Sequence, residues 1–423
     1  MINKLYITIL TLHSFFSFCF QGGCQELTIE TCYEKARSNY PLVKNFDLIE
    51  ESRSYTVENI ARMRWPTISF SGQISYQSDV TEIPIDLPNV NIPALNRDQY
   101  RLYADINQPI TKLFITPIQE QLQNNITNIK KGQLESDIYT IKSRINELYF
   151  GILLVDETIK QSLLTKKDIL TGIETTKAAV KNGAAYQSSL DRLNASLLEI
   201  DQNLLELNEQ RSSFINMLSH FIGEEIPLSI SLIKPDQLLE KKQIVRPEIQ
   251  VFEMQKENNK LRSELLQTKT LPQFSLFLQT GIGRPSPVNL LDNNWSTYLW
   301  GGVRFRWDIG NFYTQKNNFQ LLAVDKENIR VQEETFLFNT KLAIEKNRSE
   351  IKKLKSLLHT DSKVIELRNS IKLTIETQLQ NGIITANEYL KEVYAEEKAR
   401  QLKSLHEIKL IMNQYLLQTT IGK

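Results

Sequence analysis

The sequence predicts a mainly α fold with a smaller β component: internally duplicated, long α-helical coiled-coil hairpins, each preceded by a pair of β-strands. Three observations predict it. Pro41 and Pro66 recur as Pro247 and Pro272 at an offset of 206, whereas Ile110, Asn182-Gly183 and Ile222-Gly223 recur as Ile309, Asn381-Gly382 and Ile421-Gly422 at 199. Four runs of about ten residues alternate apolar and polar with period two. The longest regular patterns are heptads. The seven-residue difference between the offsets falls between the first strand and the end of the second, where a loop absorbs it.

At the N-terminus, Lys4 precedes an apolar run from Leu5 to Phe20 and small Gly22 and Gly23, so 1–23 reads as an export signal. It is short for a membrane span. Cys24 follows Gln21-Gly22-Gly23, similar to a lipoprotein cleavage box except that Gln21 stands where Leu is expected. The chain is therefore read either as plainly cleaved or as lipidated on Cys24. Cys19 leaves with the signal, and Cys32 reads as a small, half-buried apolar residue behind the capped helix start Leu27-Thr28-Ile29-Glu30-Thr31.

The first repeat covers 24–223, with strands at about 65–77 and 98–110. A linker spans 224–246. The second repeat covers 247–423, with strands at about 271–281 and 297–309. Ile68, Phe70, Gly72, Ile74 and Tyr76 alternate with Ser and Gln, and Val303, Phe305, Trp307 and Ile309 alternate with Arg304, Arg306 and Asp308. Trp65, Trp295, Trp300 and Trp307 border or lie in these runs beside Tyr76 and Tyr100, as an aromatic girdle at a membrane interface would. A soluble two-sheet core with aromatic packing is the other reading of the strands. Run length favours the membrane, because a tilted strand needs about 9–11 residues to cross a bilayer. Four strands cannot close a barrel, the smallest single-chain barrels having about eight, so several copies of the chain must pool theirs.

Leu134, Ile138, Ile141, Ile145, Leu148, Ile152, Val155 and Ile159 step by four and three in strict alternation. The pattern resumes at Leu190, Leu193, Leu197, Ile200, Leu204 and Leu207 and continues at Phe214, Leu218 and Phe221, broken only at Arg211. Residues 117–180 are expected to form one continuous helix, with Gly132, Gly151 and Gly172 as weak points. Asn182-Gly183 and Asn381-Gly382 supply the left-handed backbone for turning back. Ser188 or Ser189, and Thr385 or Asn387, are available as caps.

No enzyme chemistry is legible. His220, His359 and His406 have no partner at ligand spacing, and no cofactor is expected. Gly281-Ile282-Gly283-Arg284 is trailed by Pro285 and Pro287 and reads as the start of an outer loop rather than a phosphate cradle. Charged residues make up 23% with a net charge of +1, which gives no basic face for nucleic acid. After residue 24 no run approaches the length of a transmembrane helix.

Taken in order, Leu27-Thr28-Ile29-Glu30, Arg64-Trp65-Pro66, Thr270-Leu271-Pro272, Phe305-Arg306-Trp307-Asp308-Ile309-Gly310 and the turns at Gly183 and Gly382 resemble the TolC-type outer membrane efflux channels of Gram-negative bacteria. The resemblance covers essentially the whole mature chain. It implies a homotrimer in the bacterial outer membrane whose four strands per chain form a twelve-stranded barrel, with helices extending into the periplasm. Their tips would meet a periplasmic adaptor and through it an inner-membrane pump. The family's tip pattern maps onto Gly183, Ala184, Ala185 and Ser189, and onto Gly382, Ile383 and Thr385, as adaptor-contact residues. Asp191 and Glu388 follow as gate candidates, since three-fold symmetry would turn them into a ring of carboxylates; the alternative is that both acids only favour the helix N-terminal dipole. Tyr186 and Tyr389 either plug the tip or pack between hairpins. The rival to the channel is a soluble periplasmic coiled-coil adaptor or structural protein.

Overall fold

The computed structural model describes residues 27–80, 94–238 and 243–422; the predicted signal 1–23 and Cys24 lie outside them. Helix α1 (Ile29–Asn39) is capped by Thr28, whose hydroxyl accepts the Thr31 N–H at 3.2 Å. It is followed by α2 (Asn45–Arg62), β1 (Thr67–Tyr76), β2 (Asp98–Pro109), α3 (Lys112–Tyr139), α4 (Ile141–Lys181) and α5 (Gln187–Ile222). The order recurs as α6 (Pro247–Thr268), β3 (Gln273–Arg284), β4 (Ser296–Arg306), α7 (Asn311–Gln380) and α8 (Ala386–Ile421). Pro247 opens α6 at its first turn, where the missing N–H has no partner to lose.

Three expectations need correction. The helix expected over 117–180 starts at Lys112 and is interrupted at Thr140, where Ser143 N donates to Thr140 O at 3.1 Å in the tighter 3₁₀ manner. Gly281–Arg284 is strand rather than outer loop. A side chain at Gly281 would sit 2.3 Å from Leu102 O and 2.6 Å from Tyr103 Cβ, so the glycine there serves strand contact. Gly132, Gly151 and Gly172 are contact points rather than weak points: a Cβ would meet Val251 at 2.9 Å, Phe214 at 3.1 Å and Tyr389 at 2.8 Å respectively.

Two compact units gather corresponding parts of both repeats. The first, made of the chain up to Tyr40, Thr140–Ile244 and Leu342 onward, is helical. Its buried spine draws on the predicted heptads, with Ile145, Ile152, Leu193 and Leu218 at or near zero exposure. Ile29, Cys32 and Ala36 of α1 are also sealed, and burial pushes the Cys32 thiol up to about 12. Buried Tyr149 donates its hydroxyl to the Ile233 carbonyl at 2.6 Å, with Leu27 O at 2.8 Å. The heptad break at Arg211 has a cause: its guanidinium pairs with Asp156 and donates to the Leu228 and Ile230 carbonyls, pinning the inter-repeat linker.

The second unit, Pro41–Tyr139 with Val245–Lys341, holds one antiparallel sheet in the order β1-β2-β3-β4. Residues 77–97 join β1 to β2 and residues 285–295 join β3 to β4, so the connection does take up the deletion between repeats. Helices α2 and α6 pack on α3, and buried Asn259 of α6 donates to Leu322 O of α7 at 2.9 Å.

Candidate functional site

Strand register decides which side chains share a face. Ile68, Phe70 and Ile74 stand opposite Ile106, Ala104 and Tyr100. Leu102 and Ile106 face Ile282 and Leu278. Phe274, Leu276 and Thr280 face Phe305, Val303 and Leu299. One side of the sheet is thus apolar across all four strands; Ile106 and Tyr100 are half-buried, and its exposed large side chains run from 37% at Ile282 to 82% at Phe70. The other side carries Ser69, Ser71 and Gln73 on β1, Arg101, Asp105 and Asn107 on β2, Ser275 and Gln279 on β3, and Arg304 and Arg306 on β4. One cleft of about 490 Å³ touches all four strands, through Thr67, Asn107, Ser275 and Arg304 of this polar side among others. Strands β1 and β4 both end the sheet with unpaired edges.

A continuous exposed apolar face of this kind needs a partner surface, protein or lipid. An apolar band on the convex side and polar groups on the concave side is the pattern of a barrel wall. Strands of 10 to 12 residues, at about 3.3 Å per residue and tilted about 40°, span roughly 25–30 Å, the height of such a band.

The predicted aromatics divide. Trp65 precedes β1 under the Arg62 guanidinium, 5.8 Å from its centroid. Trp307 follows β4 and donates its indole N–H to Thr270 O at 3.0 Å. Both lie at the helix end of the sheet. Tyr76 and Tyr100 occupy the loop end of the apolar face, where Trp295 tilts against Tyr100 at 5.6 Å. Trp300 departs from the expected girdle. It sits on the polar face, donates to Gln279 Oε1 at 2.6 Å and packs edge-on to Phe277. Its parity with Arg304 and Arg306 already carried that signal.

The helical turns lie in the first unit. Gly183 (φ 72°) and Gly382 (φ 69°) end α4 and α7 in the same motif: Ala184 N donates to Ala179 O at 2.8 Å, and Ile383 N to Gln378 O at 2.9 Å. A Cβ at either glycine would meet nothing within 4 Å, and Ile383 is 70% exposed. Ala184 is exposed, and Ala185 and Ser189 are half-exposed.

Capping differs between the two turns. Thr385 and Glu388 form a capping box: Glu388 N donates to Thr385 Oγ1 at 3.3 Å and Thr385 N to Glu388 Oε2 at 2.8 Å. The Thr385 backbone N–H and hydroxyl hold the Glu388 carboxyl below its ordinary range. Neither Ser188 nor Ser189 caps α5, whose N-cap is Tyr186 with no side-chain bond.

Of the gate candidates, Asp191 is exposed and accepts from Gln187 Nε2 at 2.9 Å. Tyr186 is 83% exposed, whereas Tyr389 is 1% exposed and leaves the gate set. The Tyr389 ring lies in a core with Ile169, Leu193 and Leu390, its hydroxyl donates to Asp168 O at 3.0 Å, and burial drives its pKa well up. Beside it, Lys372 bridges Asp168 (2.5 Å) and nearly buried Glu396 (3.1 Å), which also binds Arg400. Burial opposes the charge on Glu396, but Arg400 and Lys372 outweigh it and depress its pKa.

Among the described residues no cluster of His, Cys, Asp or Glu could hold a metal, and no helix is long and apolar enough to cross a membrane. The chain thus combines one four-stranded antiparallel sheet with long helical hairpins. Solved structures make the fold specific. The chain matches the outer-membrane channel OprN with a TM-score of 0.70 and 13% identity, over 93% of this chain and 89% of that one. It matches CusC, a transmembrane channel, at 0.71 and 11%, over 94% and 92%. The open-state Neisseria gonorrhoeae MtrE outer membrane channel aligns at 0.67 and 13%, over 93% and 89%. No protein-family model and no curated protein matches the sequence. The chain has the fold of the TolC-type outer membrane channels.

Proposed function

We propose that this chain is the outer membrane channel of a tripartite efflux or secretion system, a passive exit duct that is not an enzyme. Three copies pool their strands into a twelve-stranded barrel, and the helical hairpins reach into the periplasm. There the tips dock on an adaptor linked to an inner-membrane pump. The observation that carries this reading is the sheet with an exposed apolar face and, among the described residues, two free edges. An edge of about ten residues leaves the N–H and C=O of about five unpaired. At several kcal/mol per group in hydrocarbon, two such edges cost tens of kcal/mol unless another copy pairs them. Exposed Leu321, Val324, Val331 and Phe338, at heptad spacing on α7, and Leu198 and Leu205 on α5 supply further apolar ridges for identical neighbours.

The open glycines at Gly183 and Gly382, with Ala184, Ala185, Ser189, Ile383 and Thr385, form the adaptor-contact surface. Both acids are exposed; Asp191, which accepts only from Gln187, is the gate acid, whereas Glu388 is engaged in its cap. Residues 1–23 act as the export signal, with Cys24 as the first mature residue. The soluble adaptor reading would leave the apolar sheet face in water and is disfavoured on that ground.

Cell fractionation with heat-modifiable gel mobility tests the assignment. An SDS-resistant oligomer in the outer membrane is expected; a soluble periplasmic monomer would refute it. For the gate, the Asp191→Asn, Glu388→Gln double variant should lose cation preference in single-channel recordings, and unchanged selectivity would remove Asp191.

A further inference from the structure

The cleft on the polar side of the sheet is basic, and nothing in the duct assignment uses that. Arg304 and Arg306 project from β4 at i and i+2, and Lys112 joins them from the start of α3. Among the described residues no carboxylate lies within ion-pair distance of these three cations. Strand residues of the polar face carry a single acid, Asp105, against Arg101, Arg304 and Arg306. Among the described residues Asp105 forms no ion pair with them, and its Oδ1 is buried without a hydrogen-bond partner, so three cations face one acid.

Arg304 is also held in place: its guanidinium lies 4.8 Å from the Phe277 ring centroid. Stacking by the flat face leaves the N–H edge free for an anion. Met63, Pro109 and Ile115 line the same cleft beside Asn107 and Gln119. Its volume of about 490 Å³ suits a small organic molecule rather than a bare ion.

We propose that this cleft is a binding site for organic anions, a sulfonate or carboxylate head on Arg304, Arg306 and Lys112 with an apolar body along Met63 and Ile115. In the assembled duct its three copies form a cationic collar. The inference rests on the duct reading above, since only there does the polar face border the conducting path. A collar of unpaired cations in a narrow aqueous passage raises the local anion concentration and lowers that of cations. The collar is thus the counterpart of the acidic tip, and the duct carries selectivity of opposite sign at two levels.

The test uses the full chain in planar bilayers, as wild type and as the Lys112→Gln, Arg304→Gln, Arg306→Gln variant. Gel mobility of the oligomer shows that the variant has assembled. Benzenesulfonate should block wild-type current, and size-matched benzyltrimethylammonium should block it at least tenfold less well. The variant should lose most of the benzenesulfonate block, and its reversal potential in a KCl gradient should move towards that of cations. Equal block of wild type and variant, or an unmoved reversal potential, overturns the collar while leaving the duct intact. Absence of conductance from both proteins overturns the duct reading and the collar with it.

Discussion

Leu278→Arg separates a lipid-facing sheet from a water-facing one. Leu278 lies midway along β3, opposite Ile106 and Gly301 on the apolar face, and is 41% exposed. On a water-exposed surface, arginine there would change stability by no more than about 0.5 kcal/mol. In a barrel wall, a charge at the bilayer midplane costs about 2–4 kcal/mol. At about 1.4 kcal/mol per tenfold, that lowers the folded-to-unfolded ratio by roughly 30- to 800-fold. The neighbouring substitution Gln279→Arg, on the polar face, loses only the bond from Trp300 Nε1, worth about 0.5–1.5 kcal/mol. Urea titration of the protein refolded into lipid vesicles, followed by tryptophan fluorescence, reads both. The expected order is a large loss for Leu278→Arg and a small one for Gln279→Arg. Equal effects, or a neutral Leu278→Arg, would refute the assignment of the apolar face to lipid.

Single-tryptophan proteins should respond oppositely to quenchers: iodide reaching the lumen should quench Trp300, whereas lipid-borne bromine near the headgroups should quench Trp65 and Trp307. Thr385→Ala should destabilise the second hairpin by about 0.5–2 kcal/mol through loss of its cap, measured as a lowered denaturation midpoint. The Glu388 carboxyl has a depressed pKa when folded, so its contribution is present above the ordinary carboxylate range and lost as pH falls through the depressed value. The gap in Tm between wild type and Glu388→Gln should accordingly be open at neutral pH and close in acid; a constant gap would contradict the cap. Gly172→Ala should cost about 1–3 kcal/mol by overpacking, because its Cβ would meet Tyr389 at 2.8 Å. A neutral result in thermal melts would show that Tyr389 can move aside.

Much of the fold was legible because its signals are periodic. Period-two alternation located all four strands, and the heptads predicted buried Ile145, Ile152 and Leu193. What escaped the sequence was decided by partners remote in the chain. Gly281 read as loop because its prolines lie close behind, yet the approach of β2 makes it strand. Gly172 looked like a helix weak point until Tyr389, from the other hairpin, covered it. Arg211 broke a heptad because its partners are linker carbonyls, which no helical pattern reveals. Trp300 departs from the expected girdle because its parity with Arg304 and Arg306 puts it on the polar face. At the tips, equivalent positions in the repeats diverged: Glu388 is tied into a cap, while Asp191 two positions further along its helix stays exposed. Sequence spacing alone left both acids open to either role.

The claim under all of this is that one chain supplies a third of a closed wall. Light scattering of detergent-extracted protein from the outer membrane, corrected for bound detergent, measures how many chains share a particle. The account predicts a protein mass of three chains; the mass of a single chain, in a particle that retains its folded sheet, would contradict it.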